Sequence, residues 1–389
     1  MDNYVKDFDL LVNRQGIGNM KLAMTDRTYN LSGTEFDFPT APVIRDAVTN
    51  LAQNGLFGYT VRDQQYEQTV LSWFKTQHQL DIPKEWLVVT AGTIHSLATC
   101  IELFVGPNER IISLTPGYNR YDQAADRLQR ATVSVPLIEN PQEGSYSIDF
   151  SNLELAFKEA ANKLFVLCNP HSPTGQVWSP TDLKKIANLS RKYSVYIFSD
   201  EIYSENIYGQ TKFSSYLQAD PEPNYTIVAN SLGKCFSLTG LNHANIVIPG
   251  QKLREQFIAK RNAKHFGSIE PLAYVAVTSG YSVAGAKWLQ AMNAYVEKNM
   301  QLTRRILGKI STDIIIYGGQ GGFYLWIDWN QVVPSGMTID QILAKASVAL
   351  DLGEEYGAGY TNYTRINLAT PATYLQEALE SVQKTFKKL

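Results

Sequence analysis

Short apolar runs punctuate the middle of the chain: "WLVVTAG" from Trp86, "RIISLTP" from Arg110, "LFVLCNP" from Leu164, "SVYIFSDEI" from Ser194, "YTIVANS" from Tyr225 and "ANIVIPG" from Ala244. Each is almost continuously apolar and stops at Gly, Pro, Ser, Asn or Asp, the pattern of a strand buried on both faces. Between several of them the spacing turns helical, as in "SPTDLKKIANLSRKY" at 179–193. Strands alternating with helices predict an α/β fold with a mostly parallel sheet covered by helices. Upstream, Val43, Ile44, Ala47, Val48 and Leu51 share one helical face and Gly55 offers a stop, while "YEQTVLSWFKTQH" predicts a second helix.

Past about residue 270 the texture changes. "KWLQAMNAYVEKNMQLTRRILGKI" predicts a long helix, and "IIIYGGQGGFYLWIDW" two strands around a glycine turn. "TIDQILAKASVALD" reads as a further helix, "YTRINLATP" as a strand and "TYLQEALESVQKTFKKL" as a last helix. This predicts a smaller α+β domain. The expected organisation is a large domain over 46–270, a small C-terminal domain over 271–389, and an N-terminal segment, 1–45, packing with the small one.

Composition narrows the field. With 389 residues, 44% hydrophobic and 19% charged, the chain can bury a large core. A net charge of -2 provides no general attraction to nucleic acid or anionic lipid. There is no apolar run long enough for a membrane span, and "MDNYVKDFDLLVNRQG" lacks a secretory leader's apolar core. Cys100, Cys168 and Cys235 are odd in number and widely spaced, which suits a reducing cytoplasm. The five histidines show no metal-ligand spacing, so no metal is expected. Gly233-Lys234 is not a phosphate loop, because Val228 and Cys235 stand where that motif needs Gly and Ser or Thr.

In such sheets ligands sit at the carboxyl ends of the strands. There, "VVTAGTIHS" puts Thr93 and Ile94 at a helix start, where free N–H groups can hold an anion. Tyr118 follows one strand, Asp200 and Glu201 end another with Tyr203 on the same side of the extended chain as Glu201, and Lys234 ends a third. Each alone has an ordinary explanation: a capped helix, a core tyrosine, a solvated lysine. Together they suit pyridoxal phosphate (PLP), which needs a lysine for its aldehyde, a carboxylate for its pyridine nitrogen, a phosphate cradle and a stacking ring.

From Thr25 to Pro371 the chain resembles the fold-type I PLP enzymes of the aminotransferase class I/II superfamily. The resemblance implies that Lys234 carries the cofactor and that Asp200 in "SDEIY" pairs with the ring nitrogen. It implies that Tyr203 donates to the phenolic oxygen and that Tyr118 stacks. Thr93, Ile94 and Ser231 would bind the phosphate, and Tyr59 in "GLFGYT" would reach the phosphate of a neighbouring subunit. Arg365 in "YTRINLATP" would clamp the substrate's α-carboxylate. "LFGYT", "NPHSPTGQVW", "YSIDFSNLE" and "GLNHANIVIP" resemble the MalY/PatB branch of cystathionine β-lyase-type C–S lyases.

Four positions depart from the family's pattern. Ser172 replaces the second Asn of "NPxNPTG", which binds the phenolic oxygen. Asn242 stands where many aminotransferases have a phosphate-binding arginine, a residue this branch also lacks. The branch's early tryptophan is absent after Lys21. Tyr203 is more like the aminotransferases. The implied activity is C–S β-elimination from an L-cysteine thioether such as cystathionine, in a cytoplasmic homodimer with shared active sites. An aminotransferase and a cofactor-bound regulatory protein with little turnover are the alternatives. The implied partner is a small amino-acid substrate, not nucleic acid or membrane.

Overall fold

Eight strands form one sheet in the computed structural model, which describes residues 4–389; the first three residues of the N-terminal segment lie outside the described part. The strands are β1 (Leu87–Thr90), β2 (Arg110–Thr115), β3 (Ala131–Asn140), β4 (Ser145–Ile148), β5 (Asn162–Cys168), β6 (Tyr196–Asp200), β7 (Thr226–Asn230) and β8 (Ala244–Val247). Their order is β1-β8-β7-β6-β5-β2-β3-β4. The pairs from β7 through β6, β5 and β2 to β3 are parallel. β8 runs opposite to both neighbours, and β4 folds back on β3. The six apolar runs therefore all became strands. The β3–β4 hairpin had weaker apolar continuity: outward positions of β3 are exposed, as suits a strand near the sheet's edge.

The helical cover follows from local sequence. The helix Pro180–Tyr193 starts with proline at its first position and a reciprocal cap between Ser179 and Asp182, which satisfies otherwise unpaired N–H groups. It buries Leu183, Ile186, Ala187 and Ser190, spaced three and four apart. Fully burying a leucine or isoleucine side chain contributes about 1.5–3 kcal/mol, so this stripe anchors the helix. Gly55 at φ 68° ends the helix Pro42–Asn54. The helix Pro271–Gly280 packs against that helix and against Gln64–His78.

A second, smaller sheet consists of β9 (Ile315–Tyr317), β10 (Tyr324–Asp328), β11 (Asp351–Leu352) and β12 (Tyr363–Asn367), all antiparallel, in the order β9-β10-β12-β11. The segment "TIDQILAKASVALD" is only half a helix. It is helical at Ile339–Lys345, reaches a left-handed backbone at Ser347 (φ 56°), and then pairs Val348–Ala349 with Tyr29–Asn30. The side chain and carbonyl of Ser347 accept from the backbone N–H groups of Thr28 and Tyr29, so the N-terminal segment captures the chain there.

The glycine run 318–322 does more than turn the β9–β10 hairpin. Gly318 has φ 95°, and a side chain on Gly321 would come within 2.6 Å of Pro170. The Gly321 N–H donates to the Gly175 carbonyl at 3.0 Å. Small residues let the small sheet lie directly on the loop that follows β5.

Candidate active site

The parallel strands deliver their carboxyl ends to one cavity of about 370 Å³. Thr93, Ile94, Tyr118, Ser172, Asp200, Tyr203, Ser231 and Lys234 all line it. Arg365 is not on the lining and stands behind Ser172. Tyr59 lies outside the cavity and is fully exposed.

Asp200 is the last residue of β6. Its Oδ2 accepts from the Tyr121 hydroxyl at 2.9 Å and its Oδ1 from the Ile202 N–H at 3.3 Å. Burial pushes its carboxyl up to about 6, against the opposing pull of Tyr121, the Ile202 N–H and Lys234. The chain turns immediately after Asp200 rather than staying extended, so Glu201 and Tyr203 diverge. Glu201 points into the core, where it accepts from Ser199 and from the Tyr216 N–H. Tyr203 turns to the cavity. Burial raises its phenol, opposed by the charge of Arg365 and by the Thr34 hydroxyl.

Lys234 lies four residues beyond the end of β7, in a series of turns rather than on the strand itself. It is partly buried, and its Nζ donates to the carbonyl of Thr34 at 2.9 Å and also to the Thr34 hydroxyl. Burial first, and then the charge of Arg365, bring its ammonium down to about 7. A large fraction is therefore free amine near neutrality, as a general base requires.

The helix Thr93–Phe104 opens onto the cavity, and no side chain caps its first turn. Ser231 donates its hydroxyl to the His243 carbonyl at 2.8 Å and accepts the Gly233 N–H. Both ring nitrogens of His95, also on the lining, are buried without a hydrogen-bond partner among the described residues. Ser172 Oγ accepts from Arg365 Nη1 at 2.9 Å. Arg365 is not free: its Nε and Nη2 donate to Asp351 Oδ2 at 3.0 and 2.6 Å. Lys21, where the early tryptophan was expected nearby, is buried in an ion pair with Asp37 at 2.7 Å.

Residues 27–382 match the sequence profile of Aminotransferase class I and II. The chain belongs to this family. It is 27% identical to cystathionine beta-lyase PatB of Bacillus subtilis, over 97% of this chain and 99% of that protein. An aspartate aminotransferase of Pyrococcus horikoshii is 26% identical over 99% of this chain and 97% of its own length. The crystal structure of cystalysin from Treponema denticola, which contains pyridoxal 5'-phosphate, superposes with a TM-score of 0.93 at 28% identity, covering 98% of this chain and 99% of that one.

The residues of the cavity fit that cofactor. An uncapped helix start and the unpartnered His95 nitrogens suit an anion with several acceptor oxygens. A carboxylate and an amine face the space between. Thr34, Tyr121 and Asp351 went unnoticed in the sequence. Tyr121 carried a signal, since it follows Tyr118 by three residues at the start of one helix; Thr34 and Asp351 carried none.

Proposed function

We propose that the chain is a PLP-dependent C–S β-lyase that cleaves an L-cysteine thioether such as cystathionine. The reading rests on the presence of Lys234 and Asp200 on one cavity with an uncapped helix start, in a chain similar end to end to cystathionine β-lyase PatB. Thr93, Ile94 and Ser231 would hold the phosphate, Tyr118 would lie against the ring, and Tyr203 and Ser172 would face its phenolic oxygen. When bound, the cofactor supplies an aldehyde that takes up the substrate's amino group and a ring that stores the electron pair released at Cα.

Lys234 removes the Cα proton; its lowered basicity leaves the amine free to do so at neutral pH. Thr34, with two oxygens on Lys234 Nζ, orients that amine. Asp200 holds a proton on the ring nitrogen, and Tyr121 keeps the carboxylate fixed and anionic. The Cβ–S bond then breaks, the thiolate leaves with the bonding pair, and water releases pyruvate and ammonia. Tyr59, exposed beside Leu56, Phe57 and Val61, fits a homodimer in which it enters the partner's cavity.

A second reading, transamination, is favoured by Tyr203 in place of the histidine common among the lyases. Incubation of PLP-loaded protein with L-cystathionine should yield pyruvate and thiol in equal amounts. An oxo acid formed from amino-donor and oxo-acid pairs, with no thiol from cystathionine, would establish transamination instead.

A further inference from the structure

Among the described residues the Lys234 amine bonds to Thr34 alone. Nζ donates to the Thr34 carbonyl at 2.9 Å and to the Thr34 hydroxyl. Thr34 is buried, and the chain on either side of it is held. The Gly33 N–H donates to Asp351 Oδ1 at 2.8 Å, and the Glu35 carbonyl accepts from Asn367 Nδ2 at 2.6 Å. The Glu35 carboxylate pairs with Arg14 at 2.9 Å. Thr34 is thus the fixed member of the pair, and the lysine, on its flexible four-carbon stem, is the mobile one.

Both Thr34 oxygens act as acceptors here, and an ammonium has only donors. They favour the charged form of Lys234 over the free amine. Burial and the charge of Arg365 pull the other way, while Glu35, Asp200 and Asp351 side with the ammonium. Once Lys234 has taken the Cα proton, two fixed oxygens hold that proton on it. The two reactions open to such a site part at this point. In β-elimination the electron pair left at Cα forms a double bond to Cβ, the Cβ–S bond breaks, and the thiolate leaves with its pair. In transamination Lys234 hands the proton to the cofactor's aldehyde carbon. Water then releases the substrate, oxidised to a 2-oxo acid, and leaves the cofactor reduced to its amine. Only transamination requires Lys234 to give that proton to the cofactor.

We propose that Thr34 is a positioning residue that keeps the abstracted proton on Lys234, and so directs the site toward C–S cleavage and away from transamination. The proposal rests on the C–S lyase reading and gives the choice between the two outcomes to a hydroxyl on the N-terminal segment.

Thr34→Val removes the hydroxyl and keeps the carbonyl and the bulk; Thr34→Ser keeps the hydroxyl and is the control. Thr34→Ala serves if the Val variant does not fold. In cofactor-free protein, acylation of Lys234 by an amine-selective reagent is followed against pH by mass spectrometry. Its midpoint should fall by about one unit in Thr34→Val, because the ammonium loses an acceptor, and should stay in place in Thr34→Ser. PLP-loaded protein in heavy water is then given L-alanine, which has no leaving group. Deuterium entering at Cα counts proton removals, and loss of the cofactor's aldehyde-form absorption counts transfers to the cofactor. Transfers per removal should rise about three- to tenfold in Thr34→Val and not in Thr34→Ser. An unmoved midpoint or an unmoved ratio in folded Thr34→Val would overturn the proposal and leave the lyase reading intact. Equal changes in the Val and Ser variants would overturn it too, since they would trace to the segment and not to the hydroxyl. Wild type that releases no thiol from L-cystathionine would overturn the lyase reading, and this proposal with it.

Discussion

Tyr121→Phe removes one oxygen atom and tests how Asp200 is held. The ring would stay packed edge-on to Tyr118, 5.4 Å away, so the change isolates the 2.9 Å bond to Asp200 Oδ2. A hydrogen bond to a charged group contributes about 1.5–3 kcal/mol, or about one to two pKa units at 1.36 kcal/mol per unit. Burial already sets the Asp200 carboxyl at about 6, and Tyr121 is the first of the groups that oppose this rise. Losing the bond stabilises the protonated form and raises the pKa further. In the cofactor-free protein Asp200 should then be substantially neutral at pH 7, so a protonated ring nitrogen would lack its anionic partner. The assay is the pH dependence of PLP uptake by cofactor-free protein. The acidic limb of the affinity profile should move upward by about one to two units in Tyr121→Phe, with affinity recovering at higher pH. An unmoved limb would refute the argument, because it would mean that the bond does not bear on the charge of Asp200. A uniform loss at every pH would refute it too, since it would indicate damage to the pocket rather than a shifted titration.

Four further outcomes are expected. Borohydride treatment of PLP-loaded protein should fix the cofactor to the peptide containing Lys234, and Lys234→Ala should lose the link and nearly all turnover, because base and anchor are one group; a label on another lysine would contradict this. Ser172→Asn should lower the pKa of the bound cofactor's spectral transition and Tyr203→Phe should raise it, each by slightly under one unit for a hydrogen bond worth about 1 kcal/mol; an unmoved transition in Ser172→Asn alone would remove Ser172 from this role. Sedimentation should report a dimer, and Tyr59→Phe should weaken cofactor retention, whereas a fully active monomer would exclude shared sites. Trp73→Ala should cost about 3–5 kcal/mol in denaturant unfolding, since the ring is buried, stacked 4.6 Å from Tyr281 and bonded through Nε1 to Glu205; a loss under about 1 kcal/mol would show that the site collapses around the gap.

The strands were legible because a sheet covered on both faces demands continuous apolar runs, and the chemistry was legible because their ends coincide with Asp200, Ser231 and Thr93. The sequence could not show how far those ends lie from the groups that complete the site. Thr34 meets Lys234 across 200 positions, from a segment with no periodicity of its own. Extending the helix predicted from "TIDQILAKASVALD" through Val348 missed the left-handed turn at Ser347, because serine has no strong local signal for it and the capture by Thr28 and Tyr29 is tertiary. Asp351 was lost in the same stretch. Read as helix, it could not be seen to face Arg365 across two strands.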